Sequence, residues 1–331
     1  MKQVTIIAII AGIAAVLPLV TGESPYFIGV MISVLMMAAL SSAWNILGGY
    51  AGQYSFGHAA YFGAGAYTTL IMISTFNFNP LGGMVAGIIV ACIIALVTGS
   101  IVFRLRGHYF GLASIAVAEI VRLSALNFEF TGGAQGILLS DVSLWGVDLN
   151  SKLPFYYGML LVLVVSLGIT LYMRSSKTGF YLQAIREDQD AAASLGINLS
   201  FYKNKALLIS AALTSVLGSL YAVYIRFIDT SAVLDLRLSI EIILTAIIGG
   251  VGTLWGPAVG AVLLVPLAEV LRSNVIGEAL VKHGIVSEKS GLGIFFKDNL
   301  AHAHVLVYGI ITVLCILYLP KGILGLFRRT K

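Results

Sequence analysis

Charged side chains are scarce in this 331-residue chain. Asp, Glu, Lys and Arg make up 11% of it against 59% hydrophobic residues, with a mean hydropathy of +0.97. That balance excludes an ordinary soluble domain, whose surface must be wetted. Cysteine is nearly absent. Cys92 and Cys315 stand alone in apolar runs, without a C-x-x-C or histidine-bearing spacing, which excludes a disulfide framework or thiolate metal site and leaves both as small core hydrophobes. His302-x-His304 lacks a third ligand at a recognisable spacing, so neither metal nor other cofactor is expected. Strict in/out alternation is missing, which excludes barrel strands. So is G-x-x-x-x-G-K-[ST], which excludes ATP hydrolysis by a phosphate-binding loop of that kind. With no H-E-x-x-H, no G-x-S-x-G elbow and no paired carboxylates at a workable spacing, an intramembrane enzyme has no support. The net charge of +5 is dispersed between hydrophobic runs instead of gathered in a stripe, which favours membrane topology over nucleic acid as its explanation.

Long apolar runs are what the chain has in abundance. They fall at about 3–20, 26–47, 54–75, 82–103, 108–128, 154–173, 205–228, 238–251, 256–271 and 304–319. Several approach the roughly 20 residues an α-helix needs to cross a bilayer, and a helix satisfies every backbone N–H and C=O within the segment. The expected fold is all-α: a polytopic membrane helix bundle of about ten transmembrane helices (eight to ten) in one domain, 1–331. With the amino terminus inside, twelve Lys/Arg lie on the cytoplasmic side against seven outside. The positive-inside rule therefore places both termini in the cytoplasm. Lys2 and Thr21-Gly22-Glu23-Ser24 also fit a signal peptide, but the long apolar core and the lack of an A-x-A site favour a retained first helix. Two connections are long: an external loop at about 272–303, with mixed charge and four glycines, and a cytoplasmic loop at about 174–204.

The cytoplasmic loop carries the most specific signal. From Thr178 to Leu195 it has good helix formers and no proline, and Gly196 is placed as a left-handed C-terminal cap. The spacing predicts one amphipathic helix with Phe180, Ala184, Ala191 and Leu195 on one face and Arg186, Glu187 and Asp190 elsewhere. Ala191, Ala192 and Ala193 permit close approach of another surface, and the neighbouring charges can set its register. Physics alone leaves two readings: a docking element, or a helix resting on lipid headgroups.

Asp190-Ala191-Ala192-x-x-x-Gly196 resembles the Glu-Ala-Ala-x-x-x-Gly motif of ABC importer permeases, whose helix fits a cleft on the ATPase. Aspartate for glutamate is the one departure; it shortens the side chain and keeps the charge. Leu47-Gly48-Gly49-Tyr50-Ala51-Gly52-Gln53-Tyr54-Ser55-Phe56-Gly57-His58-Ala59, Arg106-Gly107-His108-Tyr109-Phe110, Thr131-Gly132-Gly133-Ala134-Gln135-Gly136, Gly249-Gly250-Val251-Gly252-Thr253-Leu254-Trp255-Gly256-Pro257 and Leu319-Pro320-Lys321-Gly322 resemble, in order, the motifs of LivM-type branched-chain amino-acid permeases. The resemblance implies a permease subunit forming half of a translocation pathway. It also implies two cytoplasmic ATPase subunits, a LivH-type sister permease, and a periplasmic or lipoprotein binding protein, all at the inner membrane. It makes the cytoplasmic stretch a coupling helix, with Arg186, Glu187, Asp190, Ala191, Ala192 and Gly196 as its ATPase-coupling residues. It leaves the substrate open between branched-chain or other hydrophobic amino acids and urea or short-chain amides, which the wider family also carries.

Polar residues within spans need partners or water. Glu119 and Arg122, three apart, either neutralise each other on a face turned to the bundle or line a polar pathway. Asn45, Gln53, Tyr54, Ser55 and His58, interleaved with Gly48, Gly49, Gly52 and Gly57, form either a broken helix beside the pathway or a turn between two spans whose glycines pack helices. His58 reads more naturally as a hydrogen-bonded structural histidine than as a proton carrier. Glu241 and Glu269 sit near span ends, within reach of interfacial water. Gly249, Gly250 and Gly252 with Trp255-Gly256 echo Gly48-Gly49 with Phe56-Gly57, which allows an internal repeat. An ion-driven secondary transporter is the competing class. It requires a coupling site such as Glu119 or Glu241 and gives the cytoplasmic docking helix no purpose.

Overall fold

The computed structural model describes residues 2–20, 24–105, 107–139, 143–144, 147–148, 151–272, 309–310, 313–314, 317–318 and 322–327. Helices dominate: α1 (Lys2–Val20), α2 (Pro25–Asn45), α3 (His58–Ser74), α4 (Pro80–Val102), α5 (His108–Asn127), α6 (Leu153–Ser175), α7 (Lys177–Glu187), α8 (Gln189–Ser194), α9 (Leu199–Ile225), α10 (Thr230–Val233), α11 (Leu236–Gly249), α12 (Gly256–Arg272) and α13 (Ile323–Phe327). Among the described residues strand is confined to two antiparallel two-residue pairs, β1 (Ile137–Leu138) with β4 (Phe227–Ile228) and β2 (Ser143–Leu144) with β3 (Val147–Asp148).

Among the described residues nine of the ten expected apolar runs carry a helix along most of their length, and the tenth is helical at 309–310, 313–314 and 317–318. Six helical segments among the described residues are long and apolar enough to cross a membrane, as a multi-span helical bundle requires. The run at 54–75 yields only 17 helical residues, because the chain from Ala51 to Gly57 is irregular; that at 238–251 yields 14, closed by Gly250 at φ 126°. Most of the tenth run, the external loop at 272–303, His302-x-His304, Cys315, Arg106 and residues 319–321 lie outside the described residues.

Glycines meeting backbone set the tightest packing. A Cβ on Gly65 of α3 would lie 2.1 Å from the Ser215 carbonyl of α9, one on Gly218 of α9 2.0 Å from the Phe62 carbonyl, and one on Gly87 of α4 3.1 Å from Gly65 Cα. Within lipid the apolar surround offers no gain for burying side chains, so association rests on such close packing and on interhelical hydrogen bonds. Both are present: Thr69 donates to Ser219 at 2.8 Å, and the Ser219 hydroxyl is shared between the Gly65 carbonyl at 3.1 Å and the Ser215 carbonyl of its own helix at 3.0 Å. Helix α2 runs beside this block, packing on α6, α9, α11 and α12.

Helix α1 lies at the edge and is mostly exposed. Its Pro18 has no N–H for the carbonyl of Ala14 one turn back. The Tyr156 hydroxyl of α6 donates to that carbonyl at 2.5 Å and Tyr157 to Ala15 at 3.2 Å. A polar group that lipid would leave unsatisfied is thereby turned into the attachment point of the helix.

Candidate functional site

The end of α2 departs from α-helical geometry. Ile46–Tyr50 forms a π-helical turn, an insertion frequent at functional sites. Glycine permits it: a Cβ on Gly48 would sit 2.4 Å from the Trp44 ring and one on Gly49 2.0 Å from Asn45 Oδ1. The space goes to those two side chains. Trp44 Nε1 donates to the Ser55 carbonyl at 2.8 Å, folding residues 51–57 back beneath α2. Asn45 reaches 208 positions along the chain, donating from Nδ2 to the Thr253 carbonyl at 2.9 Å and accepting at Oδ1 from the Gly252 N–H at 2.8 Å.

The two glycine turns that echo each other in sequence therefore touch. Gly250 and Gly252 have φ 126° and 74°, a region open to glycine at little cost. Thr253 ties its own turn, donating to the Gly250 carbonyl at 2.7 Å and accepting from the Gly256 N–H at 3.0 Å. A Cβ on Gly249 would come within 1.7 Å of the Gly256 carbonyl, so α11 and α12 leave this turn in direct backbone contact. Gly322, just before α13, packs on the same turn: its Cβ would fall 2.5 Å from Gly250 Cα.

Arg186 of α7 closes the junction. Its Nη1 donates to the Gly49 carbonyl at 3.0 Å, and its Nε and Nη2 donate to Glu187 Oε1 at 3.2 and 2.8 Å. Its side chain lies where a Cβ of Gly52 (φ 67°) would be, 2.6 Å from Cγ.

The expected single helix over 178–195 is two helices. Asp188 is extended (φ −154°, ψ 115°) and its Oδ1 accepts from the N–H groups of Asp190 and Ala191 at 2.8 and 3.0 Å. A carboxylate that caps a new helix competes with continuation of the old one. The expected face of Phe180, Ala184, Ala191 and Leu195 is consequently interrupted; Phe180 and Leu195 are 62% and 81% exposed, while Leu182, Ile185 and Ala192 are buried against the bundle. Gly196 adopts φ 80° and closes α8, with the Ile197 N–H donating to the Ala192 carbonyl at 3.1 Å. Arg186, Glu187, Asp190 and Ala191 are exposed, as is Gly196.

The polar residues singled out in the spans take separate places. Asn45, Gln53, Ser55 and His58 are buried, and Tyr54 is 47% exposed. His58 Nε2 lies 2.7 Å from Ser210 Oγ, and the Ser210 hydroxyl lies 2.7 Å from the Ala43 carbonyl, so His58 is bonded within the protein. Glu119 and Arg122 form a two-pronged ion pair, 2.9 and 2.5 Å. It lies on the outer surface of α5, with side chains 47% and 30% exposed. A cavity of about 870 Å³ opens between α2, α11 and α12, its apolar wall edged by Glu241 and Glu269. Glu241 is paired with Arg237 at 3.0 Å, and Glu269 accepts from Tyr26 at 3.4 Å.

Residues 24–316 match the family described as branched-chain amino acid transport system / permease component. The chain belongs to that family. Among curated members of this permease family, it is 27% identical over 301 residues to the high-affinity branched-chain amino acid transport system permease protein LivM of Salmonella typhimurium, covering 82% of this chain and 69% of the relative. It is 24% identical over 322 residues to a probable LivM of Methanocaldococcus jannaschii (86% and 89%). It is 21% identical over 309 residues to LivH of Escherichia coli (87% and 91%). No solved structure matches the chain significantly.

Two residues of this permease that the sequence reading passed over hold the α7–α8 loop to α9. Lys203 is buried, with Nζ donating to Gln189 Oε1 of α8 at 2.8 Å and lying 5.8 Å from the centre of the Phe103 ring. Lys205 Nζ donates to Thr178 Oγ1 of α7 at 3.1 Å. Their spacing held a signal: two lysines two apart at the start of a long apolar helix cannot both face the same surroundings.

Proposed function

We propose that this chain is the membrane-spanning permease subunit of an ATP-binding-cassette importer for branched-chain amino acids, forming half of the translocation pathway beside a LivH-type sister permease. The family match over residues 24–316 is the observation that carries the reading. The chain is a transport subunit rather than an enzyme and takes its energy from two cytoplasmic ATPase subunits. A periplasmic or lipoprotein binding protein delivers the substrate and sets most of the selectivity. Both termini lie on the cytoplasmic side of the inner membrane.

In this reading the ATPases dock on the outer side of α7 and α8, where Glu187, Asp190, Ala191 and Gly196 are exposed, and Arg186 and Ala192 complete the coupling element from its inner side. The exposure of Phe180, Ala191 and Leu195, apolar groups on a water-facing loop, supports a covering partner there. Substrate passes along the α5 face that carries Glu119 and Arg122. A charge at mid-membrane depth costs about 2.5–3.5 kcal/mol against lipid, so an exposed in-span ion pair favours a face turned to a sister chain and to water. Asn45, Gln53, Ser55 and His58, engaged within the protein, shape the cytoplasmic mouth, and Tyr54 reaches its surface.

Uptake of labelled leucine by cells making this chain with its partner subunits, with and without excess unlabelled urea, tests the proposal. ATP-dependent uptake indifferent to urea is expected. Absence of leucine uptake, with urea or a short-chain amide carried instead, would replace the substrate while keeping the scaffold.

A further inference from the structure

We infer that Arg186 is a positioning residue for transport: the strut through which movement of the α7–α8 loop is passed to the two glycine turns at the ends of α2 and α11. The inference rests on the importer reading above and concerns how the loop acts on the spans.

A helix lying on the surface of a bundle can move the spans only through its inward contacts. The Lys205–Thr178 bond and the Tyr181–Tyr202 ring contact tie α7 to α9; its other inward contacts are of two kinds. Leu182 and Ile185 are buried apolar groups, whose contacts are non-directional and allow sliding. Arg186 is directional: a rigid guanidinium held by Glu187 on one side and donating to the Gly49 carbonyl on the other. Its stem fills the space that Gly52 leaves, and its Nη1 lies 2.9 Å from where a Gly252 Cβ would be. One side chain therefore contacts the first glycine turn and stands against the second. Asn45 ties the same two turns to each other by two further bonds.

The parts that Arg186 touches are those able to yield. Gly49 belongs to a π-helical turn, and Gly52 and Gly252 hold positive φ that glycine can leave and re-enter at little cost. Outward from the junction, α2 and α11 both line the cavity between α2, α11 and α12. A pull on Gly49 thus moves two spans at once, whereas a slip at Leu182 moves neither. Coupling of this kind needs an element with two arrangements that both ends bias, and the paired turns supply it.

The test uses the complete importer, with ATPases, sister permease and binding protein, reconstituted in proteoliposomes, comparing wild type with Arg186→Met and Arg186→Lys. Methionine keeps an apolar stem over Gly52 and removes the fork. Expected for Arg186→Met are retained co-purification of the ATPases and a fall of about ten-fold in leucine taken up per ATP hydrolysed. Arg186→Lys, which retains one donor, should recover part of that loss. Wild-type uptake per ATP in Arg186→Met would overturn the inference, as would loss of the ATPases from the complex, which would make Arg186 a docking residue. If Arg186→Met fails to assemble in the membrane, Arg186→Lys decides alone: uptake per ATP below wild type supports the strut and an unchanged value overturns it. Failure of the wild-type complex to take up leucine would strike the importer reading instead.

Discussion

The block of α3, α4 and α9 and the junction around Arg186 are both built on glycine, yet they use it in opposite ways. In the block, glycines let backbones touch, and the contacts Gly65–Ser215 and Gly218–Phe62 leave no room for a side chain, with Gly87–Gly65 leaving little. In the junction, glycines make room for polar side chains, Asn45 over Gly49 and Arg186 over Gly52, and those side chains make the connections. Close-packed backbones have one arrangement. Hydrogen bonds from long side chains to turns of positive φ have several within reach. The same residue type thus gives a fixed body and a joint, depending on what fills the space it leaves.

Substitutions can break this contrast from either side. The largest effect is expected from Gly218→Val, whose Cβ meets the Phe62 carbonyl at 2.0 Å. Neither backbone can withdraw without parting α3 from α9, so little folded protein should reach the membrane, as read by expression and detergent-soluble yield. Asn45→Leu strikes the joint and leaves the Gly252 N–H and Thr253 carbonyl without these partners. At about 1–3 kcal/mol per buried unsatisfied group, the protein should insert, unfold at a clearly lower temperature in detergent, and lose transport. A normal melting temperature would show that the two turns do not depend on this clamp. Asp190→Lys reverses an exposed charge on α8. Stability should hold while co-purification of the ATPases and ATP-driven uptake fall; normal uptake would remove Asp190 from the docking role. The smallest effect is expected from Tyr156→Phe, which takes away the donor to the Ala14 carbonyl. A loss of roughly 0.6 kcal/mol, the average for an interhelical hydrogen bond in a membrane, should appear as faster amide exchange around residues 14–18 with transport intact.

Local rules read some of these features correctly from sequence. Gly196 was expected as a left-handed cap and has φ 80°, because a helix end followed by glycine is a local event. The pairing of Glu119 with Arg122 follows from their spacing of three on one helix. The break at Asp188 was missed, although it too is local: a run of good helix formers outweighed a single carboxylate that caps the next helix from an extended backbone. The side of α5 on which the Glu119–Arg122 pair lies, and the burial of Lys203, were beyond periodicity, since both depend on which neighbours arrive.

Composition and run length determined that this chain is a bundle of membrane helices, because a chain that is 59% hydrophobic and 11% charged has few ways to satisfy its backbone outside lipid-embedded helices. The motifs, read in order along the chain, determined the family. What only the tertiary structure decided is that the motifs at 45–57, 186 and 249–256, with Gly322, meet at one place. Arg186 and Gly49 are 137 positions apart and Asn45 and Thr253 are 208 apart. No periodicity encodes such distances; they are set by how α2, α7 and α11 pack, through contacts that glycine permits and long polar side chains complete.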